Sequence, residues 1–189
     1  MENYDEYKKA RDMSWEVLIK CEITALPVDL KKVTKSLDID VISFKKAIEN
    51  GMLDPAKAKG SVQVRIIKGR KTVFVKGDGD PGKVRFSIAK GIGFCMLSDK
   101  PWYRTKTLEY SAGIFARDLL MPATVLASAG IFEAGDIAKL CGVSSQAAQR
   151  RAARLAELKT RNRFNAHPLE RKVRAQFDGF IADYKRQSF

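Results

Sequence analysis

Few residues in this 189-residue chain are equipped for metal or acid–base chemistry. It has one histidine, His167, and three cysteines, Cys21, Cys95 and Cys141, which lie far apart with no Cys-x-x-Cys spacing. A catalytic zinc takes three protein ligands and keeps a fourth position open. The chain shows no such set at metal-binding spacing, so no metal and no other cofactor is expected. What it has in abundance is positive charge, +13 net. Residues 57–90 hold ten Lys and Arg against two acids, residues 145–189 hold eleven against four, and the rest is slightly acidic. Two basic segments in an otherwise near-neutral protein suit a surface that meets phosphate or an acidic partner. Solubility alone is the competing explanation.

The most specific pattern spans residues 84–97. Arg85-Phe86-Ser87-Ile88-Ala89, then Lys90-Gly91, then Gly93-Phe94, resembles the active-site helix of the ImmA/IrrE-type zinc metallopeptidases. There the run is Arg-Phe-(Ser/Thr)-(Ile/Leu)-Ala-His-Glu-(Leu/Ile)-Gly-His. Lys90, Gly91 and Phe94 stand where His, Glu and His belong. His-Glu-x-x-His works because residues four apart share a helix face, so two imidazoles hold one zinc while the Glu handles the proton of its water. A lysine repels a dication, a phenyl ring donates no lone pair, and glycine offers no base. The resemblance therefore implies a pseudo-peptidase with no catalytic residues.

The resemblance continues downstream. Leu108-Glu109-Tyr110-Ser111-Ala112-Gly113-Ile114-Phe115-Ala116-Arg117-Asp118-Leu119-Leu120-Met121-Pro122 is similar to the family segment that carries the third zinc ligand and ends in Phe-Ala-x-x-Leu-Leu-Met-Pro. Glu109 falls on that ligand position; Gly113 replaces the usual Asn. Upstream, Leu26-Pro27-Val28-Asp29-Leu30, Leu37-Asp38-Ile39-Asp40-Val41 and Thr72-Val73-Phe74-Val75 also match, so the likeness covers residues 5–155. Left without zinc, Glu109 is expected to be a poorly solvated carboxylate paired with Lys90. The alternative is that Lys90 reaches solvent and Glu109 is an ordinary surface acid. Phe94 is expected to plug the cleft. Restoring His, Glu and His at positions 90, 91 and 94 is expected to recover zinc binding without rearrangement.

A second pattern lies in residues 132–151, which resemble a helix-turn-helix. Ala138, Gly142 and Val143 suit a tight inter-helix turn, and Ser144 can cap the next helix. Gln146, Gln149 and Arg150 would face bases or phosphates, with Arg154, Arg161 and Arg163 as further nucleic-acid candidates. Arg151 falls where an apolar residue is usual. The same segment also resembles scaffold of the peptidase family, so both a DNA-reading and a packing role stand.

These residues must be held by a mostly helical α+β fold. Apolar spacing predicts helices over residues 4–21 and 29–37 and a β-rich run over 39–44. Strands at 61–67 and 71–75 read as a hairpin about Lys68-Gly69-Arg70. The run Gly77-Asp78-Gly79-Asp80-Pro81-Gly82 is a turn leading into the helix of residues 84–97; it lacks the Asp spacing of a calcium loop. Pro101 breaks the chain before a helix at 105–120, and Pro122 ends that one. The expected architecture is a small three-stranded sheet packed on the zincin-like helix over residues 1–122, a helix-turn-helix-like segment over 123–158, and a basic C-terminal helix over 159–189. That last helix runs from Pro168 to Arg186, interrupted at Gly179, and packs back on the domain or docks a partner.

No run of about 18 apolar residues predicts a membrane span. The start, Met1-Glu2-Asn3-Tyr4-Asp5-Glu6, is too polar for a signal peptide. Unpatterned cysteines suit a reducing, cytoplasmic setting. Active ImmA/IrrE-type enzymes cut helix-turn-helix repressors, often in mobile elements or stress circuits. The resemblance thus implies an inactive relative that regulates transcription by binding a repressor. The alternatives are direct DNA binding through residues 136–155 and the basic tail, or a metallopeptidase in which Cys95 or His167 moves in beside Glu109.

Overall fold

A computed structural model describes residues 2–100 and 107–187. Its described residues form an α+β fold of ten α-helices and one three-stranded sheet. The strands are β1 (Ile39–Ser43), β2 (Val62–Ile67) and β3 (Arg70–Val75), in the order β1-β3-β2. β2 and β3 form the expected antiparallel hairpin, with Val64 opposite Val73. Its turn residues, Lys68 and Gly69, both have positive φ, 49° and 80°, which matches the twist of a two-residue hairpin. β1 joins the other side of β3 in parallel, leaving β2 as an edge strand.

The sheet divides two cores. Val73 and Val75 belong to the main core, while Phe74 packs in a smaller one with Phe44, Ala47 and Leu53. Phe44 opens α3 (Phe44–Glu49), a short helix that the β-rich run concealed. The Ser43 hydroxyl, accepting from the Lys46 N–H at 3.3 Å, starts it.

On the main-core side lie α1 (Glu2–Lys20), α2 (Leu30–Ser36), α4 (Pro81–Leu97) and α5 (Leu108–Leu120). Asp29 caps α2 through the N–H groups of Lys31 and Lys32. Asp80 caps α4 through the Lys83 N–H at 2.8 Å, with Pro81 in the first turn where its missing N–H costs nothing. α4 is clasped between the β2–β3 hairpin and α5, and α1 runs along α5. Pro101 and the first residues of the helix expected at 105–120 lie outside the described residues.

After Pro122 come α6 (Ala123–Ala129), α7 (Ala134–Cys141), α8 (Ser145–Thr160), α9 (Pro168–Gln176) and α10 (Asp178–Gln187). The single C-terminal helix expected from Pro168 onward is in fact two. The break falls at Phe177, ahead of Gly179. The Phe177 N–H bonds back to Val173 and Arg174, and the bend keeps Val173, Phe177 and Ile181 buried together. α9 packs on α1 and α6, and α10 on α6, so this segment folds back. One hydrophobic core runs from Ala10 to Ile181.

One stretch among the described residues, Leu108–Ala129, matches a membrane span by length and composition alone, with mean hydropathy 1.2 over 18 of its residues. It is α5 and α6, divided at Met121 and Pro122, and 72% of those 18 residues are buried inside the protein. Core packing accounts for its apolarity.

Candidate functional site

Lys90 and Phe94 lie one turn apart on α4, and Glu109 meets Lys90 from the first turn of α5. Lys90 Nζ donates to Glu109 Oε1 in an ion pair and stands 5.9 Å from the centroid of the Phe94 ring. The expected pairing is present, but its setting differs from expectation. The Lys90 side chain is 18% exposed and that of Glu109 is 74% exposed. Glu109 is well solvated in the first turn of its helix, next to the exposed Tyr110. The pair therefore belongs with surface ion pairs, worth up to about 1 kcal/mol, and not with buried pairs whose breakage costs about 3–5 kcal/mol.

Gly91 points away from this pair, into the sheet. A Cβ built there would stand 2.2 Å from Val73 Cγ1 and 3.1 Å from Val62 Cγ2. On the other side of α4, a Cβ on Gly93 would stand 3.0 Å from the Phe115 ring. An interior glycine costs a helix roughly 1 kcal/mol relative to alanine. Here the loss is offset by close approach to β3 and α5. Restoring a glutamate at position 91 therefore requires Val73 or α4 to shift, contrary to the expectation of a zinc site regained without rearrangement.

Beside the pair opens a groove of about 760 Å³. Its apolar lining comes from Val62, Val64 and Ile66 of the edge strand with Phe94 and Leu108. Phe94 is half-buried and forms part of that lining. Lys57, Lys59, Arg65 and Lys71 supply cations, against one acid, Asp99. Lys71 already engages that acid and donates to the Cys95 carbonyl at 2.6 Å. The Gln63 amide donates to the carbonyls of Lys57 and Lys59 at 2.7 and 3.0 Å, fastening that loop beside β2. The groove is apolar in its lining and basic at its margin.

Of the two residues expected to move in beside Glu109 in a metallopeptidase, Cys95 is buried and His167 is engaged elsewhere. Burial pushes the Cys95 thiol up to about 11 and the Cys141 thiol up to about 12. His167 caps α9, its Nδ1 accepting from the Leu169 N–H at 3.3 Å, with its ring 5.5 Å from that of Trp15 and Nε2 3.8 Å from Asp12. Among the described residues no group of three or more His, Cys, Asp and Glu side chains is placed to hold a metal ion.

The second candidate surface is built on α7 and α8. Gly142, at φ 63°, ends α7, and the Ser144 hydroxyl accepts from the Ala147 N–H at 3.4 Å to start α8. The intervening turn presses on the start of α4. A Cβ on Gly82 would lie 2.4 Å from the Ser144 nitrogen, and Arg85 donates to the carbonyls of Cys141, at 3.0 Å, and Val28. Gln146, Gln149 and Arg150 are exposed on the first turns of α8. Arg154 is half-buried and pairs with Glu157 at 2.6 Å, while Arg161 and Arg163 are exposed just past the helix.

Arg151 is wholly interior. It pairs with the buried Asp118 of α5 at 2.9 Å, and Arg117 grips the same carboxylate. Burial works to raise the Asp118 carboxyl, but Arg117 and Arg151 outweigh it and hold it below the ordinary carboxylate range. Sequence reasoning missed this pair. Its one signal was an arginine at a position in the helix-turn-helix register where an apolar residue is usual. Compared with protein-family models and with curated proteins, the chain matches none.

Proposed function

We propose that this protein is a catalytically inactive relative of the ImmA/IrrE-type zinc metallopeptidases, and that it regulates transcription in the cytoplasm by holding a helix-turn-helix repressor or similar partner without cutting it. The observation that supports this most is the Lys90–Glu109 ion pair. An ammonium stands at the position of the first zinc ligand and is already bonded to the carboxylate at the position of the third. The zinc is replaced by a cation that is part of the chain. Gly91 adds to this, because no side chain that could act as a base fits at its position.

The groove beside β2 is the place to hold a partner. An edge strand offers unpaired backbone N–H and C=O groups to an extended segment, the apolar lining accepts alternate side chains, and the cations favour acidic ones. The free cysteines suit a reducing compartment.

The test is to mix the purified protein with a helix-turn-helix repressor encoded beside it in its genome. Size-exclusion chromatography should show a complex, and gel electrophoresis should show the repressor intact after prolonged incubation. Lys59→Glu with Arg65→Glu, which reverses charge at the groove margin, should dissolve the complex. Repressor fragments that disappear with a chelator would overturn the inactive reading. A complex indifferent to the charge reversal, or none at all, would overturn the groove.

A further inference from the structure

We propose that the outward face of α8 is a contact surface for duplex DNA, a function separate from partner holding in the β2 groove. The inward face of this helix is fully occupied. Ala148, Arg151 and Leu155 are buried, and Arg151 is tied to Asp118. The helix start is held by the close approach of Gly82 to Ser144 and by the Arg85 bond to the Cys141 carbonyl. The outward face is thus presented on a framework whose position is fixed by the core.

That face has the chemistry and shape of a groove-reading helix. Gln146, Gln149, Arg150, Ala153 and Arg154 recur at helical spacing, and Arg161 follows at the end. Glutamine amides pair with adenine edges, and arginines pair with guanine edges or phosphates. Ala153 is exposed and small, so the backbone can come close to a groove floor. The first three turns carry no acid, and the single acid farther along, Glu157, is neutralised by Arg154. Arg161 and Arg163 extend the positive charge beyond the helix. A helix of 16 residues is about 24 Å long and fits a major groove about 12 Å wide. The major groove of A-form RNA is too deep and narrow to be read in this way. Charge and shape together select double-stranded DNA.

Fluorescence anisotropy tests this with the full-length protein and a labelled mixed-sequence DNA duplex of about two helical turns, roughly 20 bp. Binding should weaken as salt rises from about 50 to 200 mM, with a log–log slope near −0.9 for each phosphate neutralised. The triple variant Arg150→Ala, Arg161→Ala, Arg163→Ala should lose at least about tenfold in affinity, and its slope should be shallower by about 2–3. A charge-matched variant on the far side of the sheet, Lys45→Ala, Lys46→Ala, Lys76→Ala, should lose less than about twofold, because it removes the same charge without touching the surface. Circular dichroism melts establish that each variant folds. No binding at low salt, equal losses for the two triple variants, or duplex RNA bound as tightly as DNA would each overturn the proposal. The groove takes no part in this titration, so its result does not depend on the repressor experiment.

Discussion

Arg151 of α8 and Asp118 of α5 form an ion pair at 2.9 Å with both side chains out of water, joining the two halves of the protein across its core. Arg117 reaches the same carboxylate, so the cluster holds two cations for one anion. Arg151 Nε and Nη2 find no acceptor among the described residues. Such a cluster tolerates the loss of its anion poorly.

Asp118→Ala should therefore destabilise the protein by about 3–5 kcal/mol, since two guanidinium groups are left without their counter-charge. Arg151→Met removes the buried cation while keeping much of its volume and should cost less. The double variant should be more stable than the sum of the single losses implies, by about 1–3 kcal/mol. Urea unfolding of the three variants measures this, and strict additivity would mean that the pair is not coupled.

The same cluster predicts an acid-sensitive component of stability. Arg117 and Arg151 hold the Asp118 carboxyl below its value in the unfolded chain. A carboxyl depressed on folding contributes stability that is fully present above its unfolded value, about 3.9, and is lost as pH falls through the folded value. The difference in unfolding free energy between the wild type and Asp118→Asn should hold steady from pH 7 to 5 and shrink below about pH 4. A difference unchanged down to pH 3 would argue that the carboxyl is not held down by its arginines.

Gly91 and Val73 are predicted to be coupled too, through a steric contact and not through charge. Gly91→Ala raises intrinsic helix propensity by roughly 1 kcal/mol, yet it puts a methyl group 2.2 Å from Val73 Cγ1. Overpacking of this kind typically costs about 1–3 kcal/mol, so the net change should be destabilising. Adding Val73→Ala removes the obstructing methyls and should recover part of the loss. Thermal melts of both single variants and the double variant decide it; a stabilised Gly91→Ala would show that α4 does not bear on β3 here.

How legible these features were depends on whether their cause was local. The β2–β3 hairpin and the Ser144 start of α8 follow from residues within a few positions of one another, and each appears where the sequence places it; α4 instead begins at Pro81, ahead of the helix expected from residue 84, because Asp80 caps it from inside the run read as a turn. The meeting of Lys90 with Glu109 followed from the resemblance to a ligand set. The solvation of Glu109 did not, because exposure depends on how α5 sits on α1 and α4. Asp118 and Arg151 are 33 positions apart, and neither has a local pattern that betrays the other. Gly91 read only as the absence of a base. Its use as a contact point depends on how β3 packs against α4, which local sequence does not set.

The arrangement of Lys90, Phe94 and Glu109 carries a final prediction about the frame. Gly91 is closed to a side chain, but position 90 meets the Glu109 carboxylate, and position 94 lies one turn farther along the same face of α4. Lys90→His with Phe94→His therefore places two imidazoles one helical turn apart beside Glu109, a three-ligand set of the kind that zinc accepts with one position open. The double variant should bind about one zinc per chain, and saturating zinc at about a hundred times its dissociation constant should stabilise it by about 2.7 kcal/mol. Zinc should not raise the melting temperature of the wild type, and Glu109→Ala should abolish binding in the double variant. Adding Gly91→Glu should lower stability even with zinc present, because the new side chain meets Val73 before it reaches a water on the metal. If the double variant takes up no zinc while remaining folded, the resemblance of α4 and α5 to a metallopeptidase site fails at its geometry.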